Sequence, residues 1–216
     1  MIARLRGWGA TKQETGGSLP GDDLIGHADL SATRAVSIAA GPPAVWPWIA
    51  QIGQDRGGFY SYDFLENLAG CHIHSADRIV PQWQDLAVGD IVRLAPPVGL
   101  TVAAVEPCRW LVLRVPAADV PPPYDFTWSF VLREAAGGGT RLLVRERYGY
   151  ASRQARLLVP PLAVVSFVMS QKMLRGIKAR AEHPTAPAEP AVPAVPAEPT
   201  IPGVPARRAA PTVRAN

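Results

Sequence analysis

Cys71, His72, His74 and Asp77 place a thiol, two imidazoles and a carboxylate in one short loop. An H-x-H pair beside a thiolate and a carboxylate is a donor set that zinc accepts. No second spaced pair of ligands accompanies it, so no metal or other cofactor is expected. The favoured reading is a histidine that anchors the loop or lines a pocket. His74, next to Ile73, is the one expected to point inward. Asp77 and Arg78 are expected to fix the loop through local hydrogen bonds.

Glu146 is the second residue of chemical interest. In the segment Thr140 to Tyr150, Leu142, Val144, Glu146, Tyr148 and Tyr150 share one face of a strand, because side chains two apart point the same way. A carboxylate in an apolar row is costly unless it is paired. Glu146 therefore implies a buried ion pair or a polar contact inside a cavity. Arg114 and Arg93 are its candidate partners. The opposite face, with Arg141, Arg145 and Arg147, reads as an ordinary solvated surface. In the preceding segment, Tyr124 to Arg133, the aromatic face carries Phe126, Trp128 and Phe130.

Other familiar chemistry is absent. Gly53 to Gly58 is followed by no G-K-[ST], and no serine sits in G-x-S-x-G. Asp63 and Glu66 share a helix face but do not by their spacing make an acid/base pair. Phe59, Tyr60, Tyr62 and Phe64 read as core packing under a short helix. As a cavity lid they would hinge at Gly53, Gly57 and Gly58.

These residues need a scaffold, and the chain supplies one in a clear order. Thr33 to Ile38 reads as a strand, Ala44 to Ile52 as a helix, and Phe59 to Ala69 as a second short helix. Strands follow at Asp90–Leu94, Leu100–Val105 and Trp110–Val115, then a hairpin from Tyr124 to Tyr150 around Gly137-Gly138-Gly139. Last comes Pro160 to Ala181. Its residues Leu162, Val165, Met169, Met173, Gly176 and Ile177 recur at helical spacing, and Pro160-Pro161 suit a helix start. Runs of strands followed by a helix predict an α+β fold with an antiparallel sheet.

The domain boundaries follow composition. Residues 1–30 form an irregular, glycine-rich lead-in, 31–183 the folded domain, and 184–216 a tail with proline at every third position from Pro184 to Pro205. Such a tail suits a polyproline helix and cannot build a core, so it is expected to be disordered. It is also a possible docking peptide for a proline-binding partner. The net charge of +4 is spread along 216 residues without a basic stripe, which argues against nucleic-acid binding. Two cysteines make no disulfide framework. With no apolar leader in the first residues, this predicts a cytoplasmic protein. The most apolar run, Leu157 to Leu174, is interrupted by prolines, serines, Gln171 and Lys172, so membrane contact is not expected.

The segments "GGFYSYDFLENLAG", "IHSADRIVPQWQDLAVGD", "PPPYDFTWSFVLR" and "TRLLVRERYGY" resemble the START-like, or polyketide cyclase/dehydratase, superfamily, also called SRPBCC. The resemblance runs from Thr33 to Arg180 and is nearest to an uncharacterised bacterial branch. It implies a helix-grip fold: a curved antiparallel sheet wrapped around the long C-terminal helix, with a hydrophobic cavity between them. It also implies a soluble binding protein for a lipid- or polyketide-like small molecule. The alternatives are a cyclase, aromatase or dehydratase acting on a carbonyl substrate in the same cavity, and an interaction module working through the tail. No catalytic residue is assigned. The ligand-binding candidates are Tyr60, Tyr62 and His74 before the sheet, and Arg114, Trp128, Glu146 and Tyr148 on it. Met169 and Met173 are the candidates on the helix.

Overall fold

The period-two segments form six strands: β1 (Leu30–Ile38), β2 (Ile91–Ala95), β3 (Val98–Glu106), β4 (Trp110–Arg114), β5 (Tyr124–Glu134) and β6 (Thr140–Tyr150). They are seen in a computed structural model that describes residues 7–68, 70, 72–116 and 122–183. Cys71 and the proline-rich stretch 184–216 lie outside the described residues, as does Pro121 of the Pro121-Pro122-Pro123 connector. The strand order is β1-β6-β5-β4-β3-β2, and every neighbouring pair is antiparallel. Chain neighbours thus pair from β2 to β6, and β1 closes on the last strand. Register shifts at Arg93/Ala95 and Val102/Ala104 mark bulges, which bend strands. The result is the expected α+β, helix-grip architecture: a curved sheet, a long C-terminal helix, and two short helices after the first strand.

Four α-helices accompany the sheet among the described residues: α1 (Lys12–Gly16), α2 (Pro42–Ala50), α3 (Asp63–Leu68) and α4 (Ala155–Glu182). The inner face of the sheet, α2 and the C-terminal half of α4 share one core. It includes Ile49, Ile52, Leu113, Phe130, Val144, Met173, Leu174 and Ile177. Gly176 is what lets α4 come so close. A Cβ there would lie 2.3 Å from the carbonyl oxygen of Tyr60.

The long helix starts earlier than its prolines suggest. Pro160 and Pro161 lie inside α4, five and six residues past its first residue, Ala155. The prolines leave the carbonyls of Arg156 and Leu157 without their helical donors. Both residues are exposed, so water can serve those carbonyls. Burial of Ala155 and Val159 holds this first turn down. At 1.5 Å per residue, its 28 residues span about 42 Å.

The outer face of the sheet is not a solvated arginine surface, contrary to the expectation from alternation along Thr140 to Tyr150. Residues 8–29 lie across it. Arg145 is buried, donating to Thr33 Oγ1, Asp22 Oδ2 and the carbonyls of Glu14, Thr15 and Gly17. Arg141 grips both oxygens of Glu14 at 2.8 and 2.9 Å, and Arg147 donates to the Ile25 carbonyl. Beneath this strap Leu19, Ala35, Val131 and Leu143 make a second small core. Trp8 completes the strap: its carbonyl accepts from Ala35 N–H on the edge strand β1, and Arg175 of α4 stacks over its ring. The unpaired donors of a sheet edge are thereby partly used.

Candidate functional site

The inner faces of β5 and β6 meet in a fixed register. Trp128 stands opposite Glu146, Phe126 opposite Tyr148, and Phe130 opposite Val144. Aromatic residues in such positions pack edge-on or offset. The Phe126–Tyr148 and Trp128–Phe130 centroids are each 4.7 Å apart. This aromatic wall cannot reach the middle of α4 everywhere, and a cavity of about 470 Å³ remains between them. Leu94, Ala95, Val98 and Leu100 of the β2–β3 hairpin close one side, with Phe59 and Ser61 nearby. The helix contributes Leu162, Val165, Ser166, Met169, Ser170 and Met173. Among the lining residues, Val98, Leu162 and Val165 are also exposed. The mouth therefore lies between the hairpin tip and the first half of α4.

The lining is mostly apolar, and its charged group is Glu146, which is 1% exposed and carries a cluster of polar partners. Its partner is Arg34, from β1, whose Nη1 donates to Glu146 Oε1 at 2.7 Å. Neither Arg114 nor Arg93 fills that role. Arg114 instead pairs with Asp125 at the partly exposed end of the sheet. The same Oε1 accepts from Ser166 Oγ at 2.5 Å and Ser170 Oγ at 3.1 Å. These serines, four apart, sit on one face of α4. Among the described residues, Glu146 Oε2 accepts from Tyr148 Oη, at 3.3 Å. Burial, and then the adjacent Glu146 carboxylate, push the Tyr148 hydroxyl well above the usual phenol range. It stays protonated and acts as a donor. Arg34 is sealed by the ring of Phe167, 5.6 Å from its guanidinium carbon.

Two buried donors in this wall remain unspent. The indole Nε1 of Trp128 and the Nε of Arg34 have no hydrogen-bond partner among the described residues. Such orphans are uncommon, because an unmet buried polar group costs about 1–3 kcal/mol.

The sequence candidates fall into two groups. Trp128, Glu146, Tyr148, Met169 and Met173 all line the cavity. Tyr60, Tyr62, His74 and Arg114 do not. Tyr60 is 1% exposed, has a φ of 55°, and donates its hydroxyl to the Trp48 carbonyl, which makes it a structural post under Gly176. Tyr62 lies half-exposed beneath Lys172. His74 faces out; its backbone carbonyl packs against Gly58, where a Cβ would come within 2.8 Å. Asp63 spends its carboxylate on Ser75, which ties α3 to the segment after it. No group of three metal-ligating side chains occurs among the described residues, and Cys71 lies outside them. Gly53 and Gly58 bridge each other with two backbone hydrogen bonds, and Arg56 donates to the carbonyls of Ala50 and Trp83. This is a pinned loop rather than an open hinge.

Arg34, Ser166 and Ser170 were missed by reading the sequence. The signal for Arg34 was parity, since it shares a face with Val36 and Ile38. The serines lie beside the apolar stripe of α4 at helical spacing, but nothing local aims them at a carboxylate.

By length and composition α4 is apolar enough to cross a membrane, with 22% of its most apolar stretch buried. A core helix of a sheet-and-helix fold meets the same criterion. The two halves of α4 differ: Met173, Leu174 and Ile177 are buried, while Leu157, Val164 and Val165 are more than half exposed.

No protein-family model matches the chain, and no curated protein matches it. Solved structures do show likeness. Ms6760 from Mycobacterium smegmatis is 19% identical over 69% of this chain and 89% of its own, with a TM-score of 0.43. CV1439 from Chromobacterium violaceum is 15% identical over 71% and 97%, with a TM-score of 0.41. CalU16 from Micromonospora echinospora is 19% identical over 70% and 83%, with a TM-score of 0.35. Likeness at this level carries no function, and the fold rests on the strand order and register given above.

Proposed function

We propose that this protein binds one apolar small molecule in the cavity between the sheet and α4. The observation that carries this reading is the lining itself: a mostly apolar and aromatic hollow of about 470 Å³ with a charged, hydrogen-bonded cluster at Glu146. That volume lies within the usual range for small-molecule sites, which are mostly apolar with a few placed polar groups. Burying ligand surface supplies affinity at about 25 cal/mol per Å², before the costs of association. The Glu146 cluster supplies orientation. Its carboxylate is held by a guanidinium and three hydroxyls, which suits an acceptor of fixed position.

Titration with an apolar fluorescent dye tests the reading. One dye should bind per chain and be excluded by Met169→Trp, a lining residue enlarged into the hollow. Native mass spectrometry of gently purified protein should show an added mass that organic extraction removes. A dye that does not bind, or that binds Met169→Trp equally well, would sink the proposal.

A further inference from the structure

Leu157, Pro161, Val164, Val165 and Val168 recur at helical spacing and form an exposed side of α4. The outer side of a surface helix is normally charged, and here it is apolar. Residues 157–171 carry no charge, over a length of about 22 Å. The serines of this stretch point the other way, onto Glu146. The polar residues that argue against a membrane span in the sequence therefore leave the exposed side unbroken.

Both ends of this side are basic. Arg153 and Arg156 precede it, Lys172 and Arg175 follow it, and all four are exposed. Residues 151–181 contain no Asp or Glu. Lys172 lies over the ring of the exposed Tyr62, and an aromatic beside a cation suits the headgroup level of a bilayer. The cavity mouth, at Val98, Leu162 and Val165, adjoins the same side.

We propose that the first half of α4 docks on an anionic lipid surface, its apolar side set among the acyl chains and its cations at the headgroups. An apolar helix side with basic flanks is the pattern of a helix that lies in a membrane interface. The helix lies on the lipid rather than across it, because its opposite face is bonded to Glu146 and its second half is core. Charge decides against a second copy of the chain as the occupant. A two-fold pairing sets this side against itself, so basic ends meet basic ends with no carboxylate from residues 151–181 between them. The docking goes beyond the cavity reading and needs no bound ligand.

The full chain is floated with vesicles of phosphatidylcholine, and with vesicles of phosphatidylcholine and phosphatidylglycerol in equal parts. It should bind the anionic vesicles at least tenfold more tightly, and lose most of that preference between about 0.1 M and 1 M salt. Leu157→Glu with Val164→Glu changes two exposed residues outside the cavity lining. This variant should lose at least tenfold in vesicle affinity and still bind the apolar dye, which shows that it is folded. Reversing Arg156 and Lys172 to Glu should abolish the preference for anionic lipid. No flotation with either vesicle, equal affinity for both, or unchanged binding by the Leu157/Val164 variant would each overturn the proposal and leave the cavity reading standing. So would a dimer of the native chain in sedimentation without lipid that the Leu157/Val164 variant lacks, because a second copy would then cover this side.

Discussion

Arg34 and Glu146 are 112 positions apart in the chain and 2.7 Å apart in space. Each would be intolerable alone at its burial, and removing one partner of such a pair costs about 3–5 kcal/mol. Glu146→Leu should therefore lose roughly that much in urea unfolding. The double substitution Arg34→Met with Glu146→Leu should recover most of it, because no charge is then stranded. Similar losses for the single and double variants would show that packing, not the pair, sets the stability here. Tyr148 and the two serines tie β6 and α4 to the same carboxylate. The residues that would orient a ligand are thus also the ones that join sheet to helix.

At the scale of elements, α4 does two jobs with two halves. Its C-terminal half is core, and Gly176 is the point of closest approach. Gly176→Ala should cost roughly 2–3 kcal/mol by overpacking, because the new methyl would meet the backbone of Tyr60 rather than a side chain that can swing aside. Thermal melts compare it with Ala179→Gly, an exposed control on the same helix. A Gly176→Ala protein as stable as the native chain would mean that the helix can slide. The N-terminal half carries Ser166, the lining residues Leu162 and Val165, and an exposed apolar side. Its prolines remove two helical donors where water can reach the carbonyls. The helix was legible from its apolar stripe, but its start was not. Proline marks a first turn only when nothing upstream is held down, and here Ala155 and Val159 are buried.

For the molecule as a whole, the strap over the outer face ties residues 8–29 to β6. Two hydrogen bonds from Arg141, aided by the Thr11 N–H, hold the Glu14 carboxyl well below its ordinary value, at about 2. A depressed carboxyl contributes stability that is whole above about 4.5 and is lost as pH falls through about 2. Glu14→Gln should be less stable than the native chain by about 1–2 kcal/mol at pH 7. The gap should close as pH falls from 4.5 toward 2, as read from urea midpoints at each pH. A gap that does not change with pH would mean that the charge of Glu14 is not what holds the strap.

Local pattern was enough for much of this protein. Alternation of apolar residues placed the strands, and parity put Glu146 on the same side of its strand as Val144 and Tyr148 before any partner was known. Those features depend on chain geometry within a few residues, which a single sequence carries in full. Tertiary structure alone chose Arg34 over Arg114 as the counter-ion, buried the arginines of β6 under the N-terminal strap, and turned His74 and Tyr62 away from the cavity. Each of these depends on strand register or on packing between distant segments. A shift of one residue in register reverses every side chain, so composition and spacing cannot determine it.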